Sequence, residues 1–291
     1  MTIAACFLTT EGVVFGSDST STINYKDPSN NPVEHYNNFA QKIFEFGLDS
    51  TLGIVTWGVG GLGDLSYRTM VAEVADSGQT QNFVSVLDVA KRWADRFWAE
   101  YLKFFAAEIN TAKALKAKQP QTIGEIEQLE KLSNGLTTGF CIGGYVTTDR
   151  KAAAYEIVFH PLLDSPPVPD PLVIGQPRFW GAPTIIKRIT WGIDFGLVDD
   201  IVNSGLWTGD EKQLLELADR HHLTTPTRLP IREAIDYVDS VIYTTVKGVK
   251  FSQWDPICGG PVEVAVITSD RRFRWVKHKS LAAALDQPPT Y

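Results

Sequence analysis

The chain has 291 residues, 44% hydrophobic and 21% charged, the balance of a globular protein with a sizeable core. A formal charge of -7 argues against bulk nucleic-acid binding. Three cysteines without a CxxC pair make no disulfide framework and suit a reducing compartment; with no run of 18 apolar residues and no basic leader, a cytoplasmic location is expected.

In chain order, residues 3–8 and 13–16 are apolar and β-compatible around Thr10-Glu11-Gly12, which reads as a tight hairpin. Such a hairpin returns residues 18–21 to the level of Thr2, Asp18 among them. Residues 24–38 are polar and turn-rich, an expected exposed loop. Residues 42–46 and 51–57 read as a second hairpin, and Gly58 to Gly63 as a glycine-rich turn into a helix over 64–76. One long helix is expected over 85–117, stopped by Gln119-Pro120, with a short helix over 123–133. Strands follow at 137–147, 152–159 and 173–181, then helices near 182–190, 196–204 and 210–222. Leu214, Leu217, Ala218 and His221 form a stripe on the last of these. Residues 230–246 are more amphipathic, with Ile231, Ala234, Ile235, Val238 and Ile242 on one face. A strand pair at 262–268 and 272–277 closes this pattern. Hairpin-joined strands interrupted by helical runs predict an α+β fold with antiparallel sheets.

The chemistry-bearing residues begin at Thr2. Loss of Met1 would leave a hydroxyl nucleophile and its own α-amine base on one residue. Asp18 follows in GVVFGSDS, 16 residues on; Lys42 opens KIFEF; Gly58 opens the glycine turn; Asp255 and Cys258 sit in DPICGGP. In this order the set resembles the proteasome β-type family of N-terminal nucleophile hydrolases, from residue 2 to about 277. The resemblance implies a four-layer αββα sandwich of two antiparallel sheets. It implies one domain over 1–291, with a helical insertion at about 97–135 and a C-terminal extension at about 278–291. Thr2 would attack, and its amine, titrating near ~8, would take the proton. Lys42 would lower the hydroxyl pKa, and Asp18 would hold Lys42 charged. Asp255 and Cys258 match the positions that orient the amine, and the Gly58 N–H would stabilise the oxyanion. Peptides or unfolded proteins would be substrates, in a homo-oligomeric ring with a separate ATPase as a possible partner. The mechanism requires no metal or cofactor, and no nucleic acid or membrane is expected as a partner.

Two departures from the family stand out. Cys258 occupies a position where the family has serine, and a thiol is the weaker donor. A second family serine falls near Trp180-Gly181-Ala182, where no hydroxyl is present, although Thr184 is close. These changes keep two rivals open: a non-catalytic structural subunit, or an acyltransferase or small-amide hydrolase. Three other motifs carry less. GVGGLG (58–63) fits a dinucleotide fingerprint, but the helical stretch after it leaves no βαβ unit. DRRFRWVKHK (270–279) reads as an edge strand with outward charges rather than an RNA contact. The five histidines show no metal-binding spacing.

Overall fold

The computed structural model describes residues 2–147 and 149–279. Strand β1 (Ile3–Leu8) is buried on both faces and pairs antiparallel with β2 (Gly12–Ser17), Ala4 opposite Ser17. The Thr9 hydroxyl closes the turn between them by accepting from the Glu11 and Gly12 N–H groups. The expected loop at 24–38 is instead mostly a hairpin of β3 (Ser21–Lys26) and β4 (Pro32–Asn37). Ile23, Tyr25, Val33 and Tyr36 supply β-formers, and only the turn around Asp27 is loop-like. There the Asp27 carboxylate accepts from the Ser29 and Asn31 N–H groups.

β5 (Ile43–Glu45) and β6 (Leu52–Gly58) form the second hairpin. Helix α1 (Tyr67–Gln81) begins later than expected, because Ser66 caps it by accepting from the Thr69 N–H. The long helix is two: α2 (Val86–Phe104) and α3 (Ala106–Ala117). The chain turns at Phe105, whose ring meets Tyr101 edge to face at 5.3 Å. α4 (Ile123–Leu136) opens with a Thr122–Glu125 capping box.

β7 (Thr138–Gly144), β8 (Ala153–Phe159), β9 (Asp170–Pro171) and β10 (Arg178–Gly181) follow. The strand expected over 173–181 is cut to its end. Gly175 turns at φ 81°, and Pro177 has no N–H for a ladder. Helices α5 (Thr184–Trp191), α6 (Phe195–Asn203), α7 (Glu211–Asp219) and α8 (Ile231–Lys250) precede β11 (Glu263–Thr268) and β12 (Arg271–Lys277). The α7 stripe is only half covered, since no α7 residue is buried.

The fold is α+β with antiparallel pairing throughout the described strands. One sheet runs β10-β1-β2-β11-β12 and another β5-β6-β7-β8-β9, beside the separate β3-β4 pair. α8 buries Ala234, Val238 and Ile242 with Ile3, Val14 and Val264 of the first sheet. α2 buries Trp93, Phe97 and Tyr101 with Phe140, Ile157 and Phe159 of the second. A third cluster joins the sheets: Val13, Phe15 and Ala265 meet Val55, Trp57 and Cys141. There the Trp57 and Trp180 rings stack at 4.3 Å and 6°. Among the described residues, no helix is long and apolar enough to cross a membrane. Most of the expected C-terminal extension, residues 280–291, lies outside the described residues.

Candidate active site

The β1–β2 turn sets the first distance in the site. Asp18 follows β2, and its N–H donates to the Ile3 carbonyl at 3.1 Å. Hairpin pairing thereby brings Asp18 beside Thr2. The Asp18 side chain is closed to solvent, so its carboxylate must be satisfied by the protein. Oδ1 accepts from the Ile3 N–H at 3.1 Å and from Lys42 Nζ at 2.6 Å. Oδ2 accepts from the Thr20 N–H at 3.1 Å and the Gly259 N–H at 2.9 Å. The Thr2 hydroxyl joins this centre, donating to Asp18 Oδ1 and accepting from Lys42 Nζ.

Lys42 arrives from the second sheet. It stands one residue before β5, and its carbonyl accepts from the Thr56 N–H of β6 at 2.9 Å. Its side chain is almost fully covered. Burial draws its pKa below the ordinary lysine value, while the Asp18 charge and hydrogen bond pull it back up. A covered ammonium between a carboxylate and a hydroxyl polarises that hydroxyl toward the alkoxide.

Gly58 ends β6 at φ 86°, and a Cβ there would lie 2.3 Å from the Thr137 carbonyl oxygen, so only glycine fits without strain. The turn after it is pinned by Tyr67, whose hydroxyl donates to the Val59 carbonyl at 2.5 Å. Thr2, Lys42, Gly58 and Tyr67 line one cleft of about 80 Å³. Larger cavities of about 410 and 420 Å³ flank α5. Their lining hydroxyls, such as Thr184 and Ser240, have no lysine–carboxylate pair hydrogen-bonded to them among the described residues, and Arg188 there is already paired with Asp194 at 2.6 Å.

The remaining predicted residues divide. Cys258 is buried close enough to Asp18 and Lys42 to feel both charges. Burial, then the Asp18 charge, pushes its thiol up to about 12, so it stays protonated at neutral pH. Asp255 takes no part in the hydrogen bonds around Asp18. It lies in the exposed stretch 251–256, where its carbonyl accepts from the Ile257 N–H at 2.7 Å and its charge acts on Tyr36. Among the described residues no hydrogen bond joins Asp255 to Thr2. At the other serine-lacking position, Gly181 (φ 85°) packs on Thr2, and a Cβ there would lie 1.9 Å from the Thr2 carbonyl oxygen. Thr184 begins α5 and is exposed.

Sequence reasoning missed the Thr20 and Gly259 N–H donors to Asp18. The Gly259-Gly260 pair was the available signal, because glycine lets backbone approach a buried carboxylate closely. The chain matches no protein-family model, and comparison with curated proteins returns no significant relative.

Proposed function

We propose that this chain is a threonine-type amidohydrolase of the proteasome β-type class, with Thr2 as nucleophile once Met1, which lies outside the described residues, is removed. The observation that carries the reading is the buried Thr2–Asp18–Lys42 constellation, assembled from three separate segments. Lys42, held by Asp18, would favour the Thr2 alkoxide, and the freed Thr2 amine would take its proton. The alkoxide would attack a peptide carbonyl, with the Gly58 N–H facing the developing oxyanion. The amine would return the proton to the leaving nitrogen, and water would then cleave the Thr2 ester. The four-layer αββα arrangement belongs to this proposal. It is supported by α8 packing on one sheet, α2 on the other, and the shared cluster between them. A homo-oligomeric ring, an ATPase partner, unfolded-peptide substrates and a cytoplasmic setting belong to it as well.

A non-catalytic, ring-building role is the second reading, favoured by the exposed Asp255 and the thiol at Cys258. Intact-mass analysis after incubation with a peptide epoxyketone separates the two. Catalysis predicts loss of Met1 and one stoichiometric adduct, absent in Thr2→Ala. Retained Met1 on the purified protein would overturn the amidohydrolase reading, because Thr2 would then have no free amine. If an adduct forms, a panel of casein, fluorogenic peptides and small amides divides proteolysis from small-amide chemistry.

A further inference from the structure

A second buried charge cluster stands directly behind Asp18 and Lys42. Glu263 is the first residue of β11, opposite Ser17 of β2, and its side chain is fully covered. A carboxylate in that position needs a partner. Lys279, just past the end of β12, places Nζ 2.7 Å from Glu263 Oε2. His278 Nδ1 lies 2.6 Å from Oε1, its ring stacked on Trp275 at 4.1 Å.

An ammonium has three protons to donate, and Lys279 sends the others into the site. One reaches the Ala40 carbonyl at 2.9 Å, and one points at Ser19 Oγ, 3.3 Å away. Ser19 is the neighbour of Asp18, and Ala40 precedes Lys42 by two residues. The Ala40 N–H in turn donates to the Ser19 carbonyl at 2.9 Å, and the Ser19 hydroxyl donates to the Pro261 carbonyl at 2.8 Å. The segments carrying Asp18 and Lys42 thus meet at one side chain from the far end of the chain. A simple surface ion pair would not need acceptors on both segments.

We infer that Lys279 is a positioning residue for the Thr2 site, with Glu263 as its buried counter-charge: together they clip the Asp18 and Lys42 segments at a fixed separation. The inference rests on Thr2 being the nucleophile. Its electrostatic side is consistent, since the Lys279 charge is one of the influences that lower the Lys42 pKa. Asp18 and Cys258 face Lys42 directly, and Glu263 and His278 lie behind Lys279.

The test uses the full chain as wild type, Lys279→Met, and the double variant Glu263→Met with Lys279→Met. The double variant removes both charges and so leaves no carboxylate buried alone. Three quantities are read: the melting temperature, the epoxyketone inactivation rate split into maximal rate and half-saturation, and the Lys42 titration midpoint by NMR of labelled lysine. In a folded double variant we expect the maximal inactivation rate to fall at least tenfold with half-saturation unchanged, and the Lys42 midpoint to rise. A maximal rate within twofold of wild type, or an unmoved Lys42 midpoint, overturns the clip. If the double variant fails to fold, Lys279→Met decides by the same readings. If wild-type protein forms no adduct, the nucleophile reading has failed separately, and the Lys42 midpoint alone decides whether Lys279 acts on Lys42.

Discussion

Both oxygens of Asp18 are committed to protein donors, and one of those donors is a covered ammonium. Removing the carboxylate would leave Lys42 buried without its counter-charge. Asp18→Ala is therefore expected to destabilise the fold by about 3–5 kcal/mol in urea unfolding, as for a broken buried ion pair. Under the proposed mechanism, the pH dependence of turnover follows from two groups working in opposite forms. The Thr2 amine must be neutral, so the rate rises as pH passes its ordinary value near ~8. Lys42 must stay charged, so the rate falls again as pH climbs through its pKa. Burial lowers that pKa, so the falling limb is expected below the ordinary lysine value of ~10.4. A plateau extending beyond ~10.4 in the peptidase rate profile would remove Lys42 from the mechanism.

Among the elements, hairpins were the most legible. The alternation of apolar runs with Thr10-Glu11-Gly12 located β1 and β2, and their pairing alone returned Asp18 to Thr2. Helix α8 was equally plain, because its apolar face is continuous against a sheet. The β3–β4 hairpin was hidden because it is rich in polar and turn-forming residues and none of its described side chains is buried, which erases the period-two signal. The break at Phe105 was also hidden, since the periodicity of α2 runs straight into α3. At the site, hairpin pairing alone returned Asp18 to Thr2, whereas Lys42, Gly58 and Asp255 were expected only from the family resemblance; the chain carries Asp255 in an exposed turn, whose direction depends on what packs beneath it. Strand β10 makes its own prediction. Its last residue, Gly181, touches the Thr2 backbone, so Gly181→Ser would force a side chain into the Thr2 carbonyl at a positive φ. Introducing the missing hydroxyl there is expected to abolish adduct formation and to lower the melting temperature.

The whole molecule matters to the chemistry because the site is divided between its two large sheets. Thr2 and Asp18 flank the strands of one, while Lys42 precedes β5 and Gly58 ends β6 in the other. Any slip between the sheets separates the hydroxyl from the ammonium. Trp180 stands on the boundary, stacked on Trp57 and donating from its indole N–H to Glu156 at 2.7 Å. Trp180→Ala is expected to cost about 3–5 kcal/mol by the loss of a large buried side chain. It should also slow inactivation at temperatures where the protein is still folded. Equal inactivation rates in wild type and this variant would mean that the sheets hold their register without the stack.

The same pair of rings has an optical consequence. Two indoles 4.3 Å apart couple their electronic transitions, so their ultraviolet spectrum responds to any change in their spacing. Of the eight tryptophans, only Trp57 and Trp180 form such a stack with each other among the described residues. Their signal therefore acts as a native gauge of the spacing between the two large sheets at this contact, readable without a label while a ligand is added.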